Sequence, residues 1–334
     1  MSRKQVALTA VRQAAAVCKG VQEQLIRPET IEKKDKSPVT VADFASQAIV
    51  CSMLADAFPD DVVVGEEDAA ELRQDDQAHV RQAVMDQVQA VSENCVDEET
   101  VLSWIDLGGA NADTQAYWTL DPIDGTKGFL RKEQYAVALA LIENGQVVLG
   151  VLGCPNLNGG ELLVAIKGQG AQILPLWDSE DTEGTPIKVS EITDTAAACF
   201  CESVESGHSD HSQSAQIAKL LEITKDSVRL DSQAKYATIA KGDAQIYLRL
   251  PTSETYREKI WDHAAGKLVV EEAGGTVTDV TGKPLDFTQG RKLQENRGII
   301  ATCGPIHDKV VKVVQQVKVI KVINLDLEPQ ESCI

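Results

Sequence analysis

No run of about 18 apolar residues occurs in the 334-residue chain, so no segment is available to span a membrane as a helix. Positive charge is scarce: 32 Lys and Arg stand against 51 Asp and Glu, a net charge of −19. Such a surface repels polyanions, which excludes polymeric nucleic acid as a partner but not a small anion at a cation-lined site. The eight cysteines (18, 51, 95, 154, 199, 201, 303, 333) form no Cys-x-x-Cys pair and no zinc-like spacing with the five histidines. Cys199-x-Cys201 suits one face of a strand, and all eight thiols are expected to be reduced. Neither a transit segment nor a secretory apolar stretch precedes the first helical pattern, so the cytoplasm is the expected compartment. Internal repeats and low-complexity tracts are also missing.

What is present suffices for one large or two modest cores, with 43% apolar and 25% charged residues. Leu8, Val11, Ala15, Cys18 and Leu25 recur at helical spacing, as do Phe44, Ala48, Cys51, Leu54 and Phe58 before Pro59. Val62–Val64 predicts a short buried strand, and the acidic residues from 67 to about 100 predict solvated helices. Tyr117–Leu120 predicts a strand that delivers the segment from Asp121. Two hairpins follow, 135–152 turning at Asn144-Gly145 and 161–176 turning at Gly168-Gln169-Gly170. The polar stretch 178–186 predicts a linker. Strands and helices then alternate to a helix from Ile306, and the last fifteen residues suggest a peripheral strand or loose tail. The expected organisation is an α+β unit over 1–186, carrying an antiparallel sheet, and an α/β unit over 187–334, carrying a mixed one.

Carboxylates gather where these elements begin and end. Asp43 is placed at a helix start, Glu66 after a strand, Asp121 and Asp124 after another, and Asp262 at a late helix. Five such charges in one cleft are unfavourable unless cations offset them, and oxygen-only ligands favour Mg²⁺. In Asp121-Pro122-Ile123-Asp124-Gly125-Thr126, Pro and Gly allow a sharp turn around an ion. The Ile123 carbonyl can add a ligand, and Thr126 brings a hydroxyl. Paired Mg²⁺ ions suit phosphate-ester hydrolysis, because they lower a water's pKa and stabilise oxyanions.

Gly65-Glu66-Glu67, Asp121-Pro122-Ile123-Asp124-Gly125-Thr126, Trp261-Asp262-His263-Ala264-Ala265-Gly266 and Glu272-Ala273-Gly274-Gly275 resemble, in order and spacing, the motifs of the inositol monophosphatase superfamily. Lys36 to Asp43, Lys127-Gly128-Phe129, Gly207-His208-Ser209, Asp231-Ser232-Gln233-Ala234-Lys235-Tyr236 and Tyr247 to Pro251 resemble its 3′(2′),5′-bisphosphate nucleotidase branch. The resemblance spans roughly residues 5 to 315. It implies a layered αβαβα sandwich of the inositol monophosphatase/fructose-1,6-bisphosphatase type. It implies two or three Mg²⁺ ions held by Glu66, Asp121, the Ile123 carbonyl, Asp124 and Asp262, with Li⁺ as an inhibitor. Asp43 and Thr126 would activate water, while Thr126, His208, Asp231, Ser232, Lys235 and Arg249 would bind the substrate. That substrate would be a bisphosphorylated nucleotide such as 3′-phosphoadenosine 5′-phosphate, or its phosphosulfate analogue, and the chain would act as a monomer.

Each residue also has a plainer reading. Asp43 follows Thr40 at capping-box spacing, Glu66 opens an acidic surface run, and Asp262 suits a helix dipole. His208, Lys235 and Arg249 fit ordinary surface positions, and Trp261 fits core. The ordered recurrence of all these residues outweighs the separate readings. Two alternatives stay open: an inositol polyphosphate 1-phosphatase sharing the metal site, and a nucleotide or metal sensor without turnover.

Overall fold

A computed structural model describes residues 1–24, 37–92, 95–178, 183–204, 211–251, 253 and 255–327. The chain opens with helices α1 (Arg3–Gln24) and α2 (Ser37–Ala57), which pack on each other. Leu8, Val11, Ala15 and Cys18 of α1 are all buried, as their helical spacing requires. α2 is apolar around much of its circumference because neighbours cover it widely: α1, then α3 (Ala78–Val91) and α4 (Glu98–Asp106).

Beneath α1 and α2 lies a seven-stranded sheet in strand order β1 to β7. Its strands are β1 (Val62–Gly65), β2 (Ala116–Asp124), β3 (Ala136–Glu143), β4 (Gln146–Cys154), β5 (Glu161–Ile166), β6 (Gly170–Pro175) and β7 (Thr185–Ile187). All pairings are antiparallel except β1 with β2, which is parallel. Asn144 and Gly145 both take positive φ (51° and 72°), as the β3–β4 turn demands. β7 arises inside the stretch expected to be a linker, and the expected division at 186/187 falls within it.

The period-two alternation of β3 assigns its faces. Val137, Leu139 and Leu141 join the core under α1 and α2, whereas Ala136, Ala138, Ala140 and Ile142 join the core on the other side. Each fully buried Leu or Val contributes roughly 1.5–3 kcal/mol, and the small alanines let helices come near the strand. Those helices are α7 (Ala234–Ala240) and α8 (Ala264–Glu272), the middle layer. Beyond them lies a five-stranded sheet in order β11-β12-β10-β8-β9. It comprises β8 (Phe200–Glu202), β9 (Val228–Arg229), β10 (Ile246–Arg249), β11 (Thr276–Thr278) and β12 (Ile299–Thr302), and it is mixed as expected. α6 (His211–Leu220) and α9 (His307–Leu327) close the far side over a third core. The result is five layers, helix–sheet–helix–sheet–helix. α9 runs to Leu327 where a strand or loose tail was expected. Among the described residues no helix is long and apolar enough to cross a membrane. Seven cysteines, all but Cys333, are free thiols.

Candidate active site

Sequence reading ends a strand at Leu120, yet β2 continues through Asp124. Asp121 pairs with Ala138 and Asp124 with Ala136, so three steps on β2 oppose two on β3. This is a bulge at Pro122–Ile123, where a residue without an N–H fits a ladder and the strand re-aims its side chains. Ser46 of α2 donates to the Pro122 carbonyl at 3.0 Å, pinning the bulge from above. Gly125 (φ 91°) turns the chain into the short helix α5 (Thr126–Leu130). A Cβ there would lie 2.8 Å from that of Ser232, so glycine brings the Asp124–Thr126 turn against the start of α7.

Two further walls bring their own carboxylates. Asp43 lies inside α2 rather than at its start, since the helix already begins at Ser37; it is buried and caps nothing. Glu66 and Glu67 follow the last residue of β1. Gln47 of α2 shapes this turn: its Nε2 donates to the carbonyls of Glu67 (2.6 Å) and Ile105 (2.8 Å), and its Oε1 accepts from the Glu67 N–H. Gly65 and Gly108 make room for that amide, because a Cβ on either would sit 2.5 or 2.3 Å from it. Asp262 lies two residues ahead of α8, outside the helix it was expected to open.

These groups line one cleft of about 540 Å³, together with Ile123, Thr126, Lys127, Asp231, Ser232, Gln233, Lys235, Tyr236, Tyr247 and Arg249. Crowded, buried carboxylates resist ionisation. Burial pushes Asp121 well above the usual range, with Glu66, Asp124, Asp262 and Asp43 adding repulsion. Asp43 is also raised by burial, then by Glu67 and Glu66. Burial lifts Glu66 to about 7, helped by Glu67 and Asp124. Asp262 is lifted to about 7 by burial, against the opposing pull of His263 and Arg249. One oxygen of Asp121, Oδ1, is buried with no hydrogen-bond partner in the protein. An orphaned carboxyl oxygen amid further carboxylates, with no sulfur or nitrogen ligand among them, fits a hard divalent cation.

The other end of the cleft is cationic. Lys235 is 3% exposed, donates to the Leu230 carbonyl at 3.3 Å and lies 5.3 Å from the centre of the Tyr247 ring. Burial pulls its pKa down, and Arg249 adds to this. Arg249 pairs with Glu258 at 2.8 Å. Glu258 in turn meets His263 Nε2 at 3.3 Å, and His263 Nδ1 shares a hydrogen bond with the Tyr236 hydroxyl at 2.8 Å. Although burial alone would raise it, Glu258 is held at about 2 by His263 and Arg249. Asp231 forms an ion pair with Arg131 of the segment after α5.

Among the described residues, the three ligand atoms packed within 4.8 Å of one another belong to Glu258, Asp262 and His263. Asp43, Glu66, Asp121 and Asp124 line the same cleft, with the Glu66 and Asp121 side chains close enough to share a hydrogen bond. Glu258 already bonds Arg249 and His263, next to Asp262.

The structure thus gathers Asp43, Glu66, Asp121, Ile123, Asp124, Thr126, Asp231, Ser232, Lys235, Arg249 and Asp262 around one cleft. His208 lies outside the described residues. Sequence reading missed Gln233 as an individual. Its N–H donates to Asp124 Oδ2 at 2.6 Å, its Nε2 to the Trp261 carbonyl at 2.9 Å, and its Oε1 accepts from Gly266 N–H at 3.0 Å. One residue, through its backbone N–H and its buried side-chain amide, therefore joins the β2 bulge to the loop ahead of α8. Its place within Asp231–Tyr236 was the available signal. Glu258 and Arg131 carried none, being charged residues in polar stretches.

The inositol monophosphatase family model matches residues 2–318. The chain is 45% identical to a protein of Schizosaccharomyces pombe named 3'(2'),5'-bisphosphate nucleotidase, covering 93% of this chain and 94% of that one. It is 43% identical to a protein of the same name from Oryza sativa, covering 92% and 91%. Among solved structures, an IMPase from Thermotoga maritima aligns over 96% of this chain and 99% of its own, with a TM-score of 0.63 at 24% identity. An inositol monophosphatase from Anabaena aligns over 93% and 94%, with a TM-score of 0.61 at 23% identity. The five-layered fold is shared with both structures, and the sequence match extends across nearly the whole chain: it belongs to the inositol monophosphatase family.

Proposed function

We propose that this protein is a Mg²⁺-dependent phosphomonoesterase that removes the 3′-phosphate of 3′-phosphoadenosine 5′-phosphate, yielding AMP and phosphate, and that also accepts the phosphosulfate analogue. The observation that carries this reading is a single cleft lined both by the carboxylates and by the cations Lys235 and Arg249. A substrate with two separated phosphates suits such a site, and the names of the similar proteins from fission yeast and rice point to the same class.

Glu66, Asp121, the Ile123 carbonyl, Asp124 and Asp262 are the groups that would hold two or three Mg²⁺ ions. Bound there, Mg²⁺ supplies Lewis acidity that activates water and offsets charge on the reacting phosphate. Asp43 takes the proton of the attacking water, a task suited to a buried carboxylate of raised proton affinity. The Thr126 hydroxyl orients that water at the mouth of the β2 bulge. Lys235 and Arg249 take the non-reacting 5′-phosphate through charge-assisted hydrogen bonds, for which the Arg249 side chain is pre-aimed by Glu258. Asp231, Ser232 and His208 hold the nucleoside, with Arg131 fixing the Asp231 carboxylate. Every residue in this scheme comes from one chain, so a monomer suffices.

The test is a phosphate-release panel with Mg²⁺. It compares the adenosine bisphosphate, its phosphosulfate analogue, inositol 1,4-bisphosphate and the corresponding monophosphates, with and without Li⁺. Fast release from the adenosine compounds, suppressed by Li⁺, is expected. Preference for inositol 1,4-bisphosphate would overturn the nucleotide assignment, and nucleotide binding without phosphate release would make the protein a sensor.

A further inference from the structure

Glu66 and Asp262 belong to different layers of the molecule: one follows a strand of the seven-stranded sheet, the other precedes a middle-layer helix. Ligands of one metal cluster must hold fixed separations, so something must tie the two segments together. Arg291 occupies that place. Its Nη2 donates to the carbonyl of Gly65, the residue before Glu66, and its Nη1 to those of Ala110 (3.0 Å) and Gly108 (3.4 Å). The guanidinium carbon lies 4.8 Å from the centre of the Trp261 ring, the residue before Asp262.

The backbone around Arg291 is bound to the same loop. Ile260 N–H donates to the Arg291 carbonyl, Leu293 N–H donates to the Glu258 carbonyl at 2.9 Å, and Lys259 pairs with Lys292. Residues 291–293 therefore form a short strap along 258–261, and its one planar fork reaches across to the end of β1. Arginine suits this position for a stated reason. Its donors lie in one plane and can serve several carbonyls at once, while its face remains free to stack on an indole. A lysine has the charge without the plane. Gly65, Gly108 and Ala110 lie 226, 183 and 181 residues away in sequence, so no local pattern betrays the arrangement.

We propose that Arg291 is a positioning residue for the metal-holding carboxylates, setting the separation of Glu66 and Asp262 by gripping the residues immediately before each. This rests on the metal reading given above. It assigns Arg291 no contact with substrate and no part in proton transfer.

The test compares wild type, Arg291→Lys and Arg291→Ala by calorimetric titration of metal-free protein with Mg²⁺, by circular dichroism, and by turnover at increasing Mg²⁺. Both variants are expected to fold and to bind Mg²⁺ about tenfold more weakly, in line with losses at outer ligand-orienting positions. Half-saturating Mg²⁺ for turnover should rise by the same factor, with kcat at saturation within about threefold of wild type. Wild-type Mg²⁺ affinity in Arg291→Lys alone would assign the effect to charge and overturn positioning. Unchanged affinity in both folded variants would overturn it as well. Should neither variant fold, the residue is structural and the proposal fails. A wild-type chain that takes up no Mg²⁺ would instead remove the metal reading on which this one stands.

Discussion

The two ends of the cleft handle buried charge in opposite ways. At the cationic end Arg249 has Glu258 and Asp231 has Arg131 as counter-charges, and the Lys235 ammonium donates to the Leu230 carbonyl. At the acidic end, Asp43, Glu66 and Asp121 mainly face other carboxylates, and an oxygen of Asp121 has no donor at all. The first end is complete within the protein. The second is costly by itself, as expected where function and stability diverge.

The largest effect should come from removing the proposed water-activating groups. Asp43→Ala and Thr126→Ala are each expected to lower phosphate release by about 10²–10⁴-fold, with nucleotide affinity retained by calorimetry. Full activity in either variant would take that residue out of the scheme. At the opposite end the loss should appear as binding. Lys235→Ala and Arg249→Ala should raise KM for the bisphosphate roughly 10–100-fold, the worth of a charge-assisted hydrogen bond. A monophosphate lacking the 5′-phosphate should show little change, and equal effects on both substrates would undo the assignment. Glu258→Gln, which frees Arg249 from its partner, should raise the same KM by a smaller factor, with kcat little altered.

Stability should reverse the sign between the two ends. Glu66 and Asp262 reach about 7 in the folded chain, above the roughly 4 of unfolded carboxyls. The stability linked to them is fully present below pH ~4 and is lost as pH rises through about 7. Metal-free protein should therefore melt lower at pH 8 than at pH 6, and added Mg²⁺ should reverse the order. Glu258, held at about 2, behaves oppositely: its contribution is present above its unfolded value and is lost as pH falls through about 2. Smallest of all, Asp121→Asn should raise the melting temperature of metal-free protein by about 2–4 °C. A lower melting temperature would show that the Asp121 charge is better compensated than its environment indicates.

Much of this was legible in the sequence where local chemistry dictates local structure. The Asn144-Gly145 turn, the termination of α2 before Pro59 and the period-two faces of β3 follow from backbone preferences and alternation. The acidic residues were legible as a set because each sits near an element end. The errors also have physical causes. Pro122 reads as the end of a strand, since proline removes a ladder donor, but a bulge absorbs that loss and the strand continues. Asp43 reads as a cap because Thr40 precedes it, yet the helix starts earlier, and the buried carboxylate lies on its cleft side. β7 was hidden in a polar stretch because an edge strand of three residues needs little apolar character. Arg131 and Arg291 act through partners a hundred or more positions away, so nothing in their neighbourhoods signals their roles.

Gln47 carries an evolutionary consequence. Its amide fills the space vacated by two glycines 43 positions apart, so the three positions form a single unit of inheritance. A side chain at Gly65 or Gly108 would displace the amide, and with it the bonds that shape the Glu66-Glu67 turn. Shortening Gln47 would open the space while leaving that turn unsupported. Lineages of this chain can change these sites together or not at all, and their drift should be correlated although none of the three touches the chemistry.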